Sequence, residues 1–366
     1  MINRIYLHFA VVLVFLTLGW IPYAFTAEFH DEIVRDYTVK TLGQLQIANL
    51  RGGIVVQGWA LDRIRVTAKR RAVAASAEEA RKLFTALDFR YRNLGGGVEL
   101  SAEYGKGLEI QDRLREREQP HTSMEMVVQA PARMKLSVWA VDGVVSVKNW
   151  NESVDVRTSK GSVLIQDVKA KLVSLVCPEC QAVIREARGG SLRMMGGTES
   201  VEVETFEGDQ VYIETSTGNQ TLSHVSGEQL YVSKSGKIAG RNMKGRIEFQ
   251  SQKGGVSFLD SSGFVSGRTE SGDIQVRMRE WRFFDKALIE SSKGTVKLAL
   301  PAQFSGEIDL WSVSGKTSNV FSVRGSKEKG IYGPEPLNHI RGRVGDGGEQ
   351  LKLFSQDGDV ALERYL

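Results

Sequence analysis

The densest group of acidic residues lies in the stretch VEVETFEGD, which contains Glu202, Glu204, Glu207 and Asp209. Paired carboxylates in a groove could act as general acid and base in cleaving a polysaccharide. The alternation of valine and glutamate, however, places Glu202 and Glu204 on one face of a strand, the solvated one. We therefore interpret this run as an exposed strand face and keep a polysaccharide-degrading or polysaccharide-binding protein as the alternative function.

Cys177 and Cys180, in the motif CPEC, are the two cysteines of the chain. In an oxidising compartment they would close a small disulfide ring. A redox-active pair usually lies at a helix N-terminus, whereas the flanking segments KLVSLV and QAVIREA are typical of strands. A zinc site needs further ligands, and His121 and His224 have no suitable spacing. We expect a structural disulfide or an idle thiol pair, with a redox or metal role as the alternative.

Three other motifs fail the tests for chemistry. SVSGKTS, residues 312–318, has Leu310 where a phosphate-binding loop requires its first glycine. Glycine–aspartate pairs do not recur in the register that calcium-binding nonapeptides need. The basic run Lys69–Arg71 is typical of a solvated link that could touch anionic lipid or polysaccharide weakly. We predict no catalytic residue, no metal and no cofactor.

Tryptophan side chains could stack on sugars if they are exposed, although aromatic residues occur in the core as often. The sequence alone does not separate these two roles. The tryptophans that come into question are Trp139, Trp150, Trp281 and Trp311.

Composition bounds the fold class and the partners. The chain has 366 residues, with 38 glycines and 7 prolines, and many turns with few breakers point to β-structure. The net charge of +4 is spread along the sequence, which argues against nucleic acid as a partner.

The N-terminus has the pattern of an export signal. Arg4 precedes an apolar run from 5 to 21, and the first acidic residue is Glu28. Cleavage after Ala27 would place the bulky Phe25 at the minus-three position, so an uncleaved membrane anchor is the alternative. Either way we expect the rest of the chain to be exported, to the periplasm, the cell surface or the medium.

Glycine spacing reveals an internal repeat. Ser or Thr stands three places before a glycine in TSTG, SKSG, SQKG and TESG, and these four motifs follow one another at a constant interval. Glycine supplies backbone angles closed to other residues, and the hydroxyl can bond the turn backbone. This pattern predicts an all-β fold, a single-stranded β-solenoid or β-helix with coils of about 18 residues over 134–366. The predicted structural turns are Gly161, Gly218, Gly227, Gly236, Gly245, Gly254, Gly263, Gly272, Gly294 and Gly358.

The region 28–133 differs from the repeats, and we predict a β-rich N-terminal cap that carries one helix over 76–88. Ser76 and Glu79 form a capping box at the start of this helix. A cap would cover the edge of the first coil, which would otherwise be exposed to aggregation. The apolar face of the helix consists of Ala80, Leu83, Phe84 and Leu87.

Three stretches carry a family resemblance: LQIANLRGGIVVQGW, RIRVTAKRRAVAASAEEARKLF and the ending GDGGEQLKLFSQDGDVAL. Over Leu45 to Leu366 the chain resembles the putative adhesins, exported bacterial proteins of β-strand repeats. The resemblance implies a β-solenoid in the cell envelope and brings no catalytic motif.

We therefore predict a non-catalytic adhesin or binding scaffold that presents a ladder face or its loops to a partner. The candidate partners are a cell-wall or surface glycan and another envelope protein, and membrane contact is expected only through an uncleaved N-terminal segment. If that segment is retained, an envelope stress or assembly factor is a further alternative.

Overall fold

A computed structural model describes residues 26–39, 43–105, 121–325 and 338–365. Almost all regular structure in these ranges is β-strand, with one short helix. Most of the predicted signal segment, 1–25, lies outside the described residues. Among the described residues no helix is long and apolar enough to span a bilayer. The described residues form two compact units: the first comprises 26–31, 70–88, 103–105 and 121–123, and the second comprises the other described residues.

The N-terminal elements are eight strands and the helix α1. They are β1 (Ala27–Thr38), β2 (Gln44–Arg51), β3 (Ile54–Trp59), β4 (Arg63–Ala74), α1 (Ala77–Ala86), β5 (Asp88–Asn93), β6 (Gly97–Glu103), β7 (Thr122–Pro131) and β8 (Lys135–Trp150).

The rest of the described chain is formed by strands alone. They are β9 (Val154–Cys177), β10 (Glu179–Gly196), β11 (Val201–Val203), β12 (Phe206–Thr215), β13 (Gln220–Ser223), β14 (Val225–Ser235), β15 (Ile238–Arg241), β16 (Lys244–Lys253), β17 (Val256–Ser271), β18 (Ile274–Trp281), β19 (Ala287–Lys293), β20 (Val296–Leu300), β21 (Gly306–Ser312), β22 (Thr317–Asn319), β23 (Val323–Arg324), β24 (His339–Val344), β25 (Gln350–Ser355) and β26 (Val360–Arg364).

The first unit is organised around α1. The hydroxyl of Ser76 accepts a hydrogen bond from the backbone N–H of Glu79 at 3.2 Å, and the Glu79 carboxylate accepts from the N–H of Ala75 at 2.8 Å. These bonds satisfy donors at the helix start. The helix ends at Ala86, slightly before the predicted end at 88. Its inner face closes a small apolar cluster that consists of Ala72, Ala74, Ala80, Phe29, Leu83 and Phe84.

The core of the second unit is a parallel ladder. The strands β14, β16 and β17 pair at a constant offset, as in Ser226 with Lys244 and Lys244 with Ser262. Side chains alternate between the interior and solvent along each strand. Stacked positions therefore form buried apolar columns, such as Ile238, Val256 and Ile274.

The strand order corrects one prediction. The all-β class with one short helix is confirmed, but the single-stranded solenoid is wrong, because neighbouring strands do not follow chain order. β25 lies between β19 and β21, β26 lies between β20 and β22, and β8 pairs with both β2 and β3. β24 pairs antiparallel with β21 and β23.

The fold is thus a parallel core to which extra strands are added. Glycine spacing could not reveal this, because it reports how often the chain turns and not which strand lies beside which.

Candidate functional site

The repeated hydroxyls are committed to the turns. Thr215 donates to the carbonyl of Gly218 at 2.9 Å, and Ser233 donates to that of Gly236 at 3.1 Å. Ser251 repeats this contact within its own turn. These three side chains are buried, so each hydroxyl satisfies a buried backbone acceptor that would otherwise lack a partner.

The predicted turn glycines lie at positions closed to other side chains. At Gly254 φ is +128°, and a Cβ would lie 2.3 Å from the carbonyl oxygen of Gly236. Gly218, Gly236 and Gly358 lack a positive φ, yet a Cβ there would also come within 2.3 Å of a carbonyl oxygen. The other predicted turn glycines with positive φ are Gly161, Gly227, Gly245, Gly263, Gly272 and Gly294.

The acidic run faces arginines on the neighbouring strand. The guanidinium of Arg185 binds the carboxylate of Glu204 at 2.7 Å, and Arg188 lies 3.5 Å from Glu207. Glu202, in β11, is only partly exposed, and Glu204 follows directly after that strand. The structure therefore places Glu204 and Glu207 in ion pairs with arginines of β10.

Cys177 and Cys180 are joined by a disulfide, with Cα atoms 5.7 Å apart. Both are buried, so the sulfurs are shielded from solvent. Within the described ranges no three His, Cys, Asp or Glu side chains come together in a group that could hold a metal ion.

The structure separates the four tryptophans. Trp150 is fully buried, and its indole N–H donates to the carbonyl of Met134 at 2.8 Å. Trp281 is half-buried. Trp139 and Trp311 are exposed, at 64% and 42%.

Trp311 belongs to a row of aromatic side chains that crosses three adjacent strands. It lies opposite Phe354 of β25 on one side and opposite His339 of β24 on the other. Ring centroids are 5.2 Å apart for Trp311 and Phe354 and 6.1 Å apart for Trp311 and His339. We call Phe354, Trp311 and His339 the aromatic row.

A polar row runs beside the aromatic row, one outward position along each strand. It consists of Lys352 in β25, Asp309 in β21 and Arg341 in β24. The Asp309 carboxylate lies 2.7 Å from Nε2 of His339. This contact links the two rows and fixes the orientation of the imidazole.

The two rows provide complementary chemistry on one surface. Aromatic faces pack against apolar C–H surfaces, and the charged row beside them can exchange hydrogen bonds with hydroxyl groups. A ligand with an apolar face and polar edges would meet both. A pyranose ring has this composition.

Trp139 offers a useful contrast. It is more exposed than Trp311, but its ladder neighbours are Ala48 and Arg157 rather than aromatic residues. Single exposed apolar residues are ordinary on protein surfaces, so Trp139 alone does not define a site.

The sequence named Trp311 but missed Phe354 and His339. The sequence could have identified Phe354, because in QLKLFS it alternates with buried residues and faces outward on the same side of the strand as Gln350 and Lys352. No sequence pattern could have identified His339, because its position depends on the antiparallel pairing of β24 with β21.

The fold and this surface define an all-β protein with a parallel core and an exposed aromatic face. A family model, Toastrack DUF4097, matches residues 103–363, most of the chain. The chain belongs to this family, a domain of unknown function. The predicted resemblance is thereby confirmed.

Three solved structures are similar to the chain at low identity. A putative cell adhesion protein from Clostridium sporogenes is 10% identical, with a TM-score of 0.21, and 92% of this chain and 100% of that one are covered. A putative adhesin from Bacteroides fragilis is 12% identical, with a TM-score of 0.30 and coverages of 73% and 97%.

The third similar structure is a putative lipid binding protein from Parabacteroides distasonis, 10% identical with a TM-score of 0.39. The comparison covers 74% of this chain and 97% of that one. No curated protein matches the chain.

Proposed function

We propose that this protein is a non-catalytic binding protein of the cell envelope that holds polysaccharide on its outer sheet face. The observation that carries the proposal is the aromatic row, in which Trp311 is 42% exposed between two further rings on adjacent strands. Adhesion to a surface or cell-wall glycan is the role this surface supports best.

The geometry of the aromatic row favours a single sugar chain over a flat crystalline surface. The ring planes are inclined, by 57° between Trp311 and Phe354 and by 39° between Trp311 and His339. A flexible chain can follow such a surface, with its hydroxyl groups directed to Lys352, Asp309 and Arg341.

The state of the acidic residues supports a binding role without catalysis. Glycosidic cleavage needs two carboxyl groups that face each other across the bond, one of them able to donate a proton. Glu204 and Glu207 are instead engaged by arginines on the neighbouring strand. Asp309, the carboxylate of the polar row, is engaged by His339.

Export is the part of the proposal that rests on sequence. Arg4, the apolar run from 5 to 21 and the first acid at Glu28 form the pattern of a secretory signal. An exported protein would meet envelope polysaccharide directly.

The test is a binding array of cell-wall and surface polysaccharides with the full chain, Trp311→Ala and Trp139→Ala. Loss of one stacking ring removes about 1–2 kcal/mol, or roughly 5–30-fold in affinity. Trp311→Ala should lose binding by that factor, and Trp139→Ala should bind like the parent.

Mass spectrometry of the bound polymer should show no cleavage products. Equal binding by the parent and Trp311→Ala, or no polysaccharide bound at all, would refute the proposal, and the second result would favour a protein partner. Cleavage of the polymer would refute the absence of catalysis.

A further inference from the structure

The ladder contains an insertion between β18 and β19. Val256 pairs with Ile274 on the next strand of the ladder, and Ile274 in turn pairs with Val296. More residues separate the second pair than the first, so the chain between Ile274 and Val296 is lengthened. The additional residues fall between the end of β18 and Ala287. They bring Arg282 and Phe284 to the surface, where Phe284 is 59% exposed, whereas Phe283 is half-buried.

The insertion borders a groove of about 700 Å³. Its floor includes His224, Asn242 and Asp260, which occupy equivalent positions in successive turns and share left-handed backbone conformations with φ of 54° to 55°. Nδ2 of Asn242 lies 3.2 Å from Nε2 of His224. The stacked turns thus present a column of polar side chains to the groove.

Positive charge in the groove is only partly compensated, since Arg282 lies 3.6 Å from the Glu280 carboxylate whereas Arg279 contacts neutral groups. Arg279 donates to the Asn242 carboxamide at 3.2 Å and to the Tyr365 hydroxyl at 3.3 Å, both neutral groups. Asp260 is already engaged by Arg277 at 2.7 Å. Burial would raise the pKa of Asp260, but hydrogen bonds from Arg277 and Tyr365 lower it below the usual value, so this carboxylate is ionised and paired.

A second hollow of about 430 Å³ continues the groove and shares Arg279, Glu280 and Arg282 with it. Aromatic side chains, Trp281 and Phe283 among them, line this part. The indole N–H of Trp281 is buried and has no hydrogen-bond partner among the described residues. A buried donor without an acceptor is rare in folded proteins.

We propose that this groove is a second binding site, for an acidic saccharide. The carboxylate of a sugar acid would accept charge-assisted bonds from Arg279 and Arg282, and the sugar ring would pack against Phe284 or Trp281. The column of polar side chains that ends at Asp260 would form hydrogen bonds with the hydroxyl groups of the sugar. An acyl chain fits less well, because polar residues such as His224, Asn242 and Ser262 make up much of the lining.

The groove and the aromatic row share no residue, so the two proposals fail independently. The experiment is calorimetric titration of the full chain with acidic oligosaccharides, namely oligogalacturonate, alginate and heparin fragments. Methyl-esterified or neutral counterparts serve as the uncharged probes. The variants are Arg279→Gln, Arg282→Gln, Trp311→Ala and, as a matched surface control, Arg157→Gln.

At least one acidic oligosaccharide should bind tenfold or more tightly than its neutral counterpart, and its affinity should fall as salt is raised. Arg279→Gln and Arg282→Gln should each lose at least tenfold. Arg157→Gln and Trp311→Ala should retain this binding, and thermal melts should show all four variants folded.

Several outcomes would overturn the proposal. One is equal binding of acidic and neutral forms across the panel, and another is an equal loss in Arg157→Gln and Arg279→Gln. Inorganic phosphate and phosphatidylglycerol vesicles form separate arms. Retention of the protein on vesicles without binding of any acidic oligosaccharide would replace the saccharide with a lipid headgroup.

Discussion

The regular turns at 215–254 and the C-terminal sheet of β21, β24 and β25 carry different residue types for different purposes. In the regular turns, hydroxyls point inward and bond glycine carbonyls. In the C-terminal sheet, an antiparallel strand is added and the outward positions carry Phe354, Trp311 and His339. Regularity therefore serves the backbone, and the interruptions carry the surfaces that can bind.

The insertion after β18 follows the same rule. It lengthens one step of the ladder, and the extra residues include two phenylalanines and an arginine. Phe283 packs against Trp281 and Phe304, whereas Phe284 is 59% exposed. Breaking the turns should therefore damage folding, whereas altering the interruptions should damage binding.

The largest effect is expected for Gly254→Val. The new side chain would face both a φ of +128° and a carbonyl oxygen 2.3 Å from its Cβ. Backbone strain of this kind costs about 1–3 kcal/mol before any clash is counted. We expect a loss of at least about 3 kcal/mol in unfolding free energy, measured by urea denaturation.

Gly255→Ala is the matched control for that variant. Its Cβ would have the carbonyl oxygen of Asp273 at 3.4 Å, an ordinary contact, as its nearest neighbour. We expect Gly255→Ala to stay close to the parent. If Gly254→Val and Gly255→Ala were equally stable, the stacked turn glycines would not constrain the backbone in the way described.

A smaller effect is expected from removing a turn hydroxyl. Thr215 donates to the carbonyl of Gly218, whereas the buried hydroxyl of Thr269 has no partner among the described residues. Thr215→Val should cost about 1–3 kcal/mol, because it leaves a buried acceptor unsatisfied. Thr269→Val should be neutral or stabilising, and equal losses in the two variants would contradict the assignment.

The smallest effect is expected at Asp260, and it depends on pH. Burial alone would raise the pKa of Asp260, but the bonds from Arg277 and Tyr365 outweigh it and hold the folded-state pKa below 3.8. The stabilisation from this carboxylate is therefore present above the unfolded-state pKa and is lost as pH falls through the folded-state pKa.

Asp260→Asn should lower stability at pH 7 by at most about 1 kcal/mol, because the pair is near the surface. The difference from the parent should shrink in thermal melts as the pH is lowered below 3.8, because Asp260 becomes protonated in both states. A difference that persists unchanged as the pH is lowered would mean that the carboxylate charge does not matter.

Sequence reasoning reached the local features of this fold and failed on its long-range ones. The capping of α1 by Ser76 and the role of the hydroxyls before Gly218 and Gly236 follow from local chemistry. The placement of β25 beside β19 brings Leu351 against Ala287, a pairing far longer than the glycine repeat and therefore not encoded by it.

The candidate binding surfaces also combine features that the local sequence predicts with features that depend on long-range strand pairing. Trp311 could be named because tryptophan is a recognisable type, but its partners depend on which strands pair. The groove beside the insertion had a signal in the glycine spacing, since the interval from Gly272 to Gly294 exceeds the interval from Gly254 to Gly272. That excess predicts a loop, but not the stacked His224, Asn242 and Asp260 that face it.

Hydrogen–deuterium exchange of the full chain, with and without the polysaccharide that binds most tightly in the array, tests the central claim most directly. If the interruptions bind and the turns are scaffold, the ligand should slow exchange in β21, β24 and β25 and leave the turns at 215–254 unchanged. Ligand protection centred on those turns, with none in β21, β24 and β25, would contradict the account.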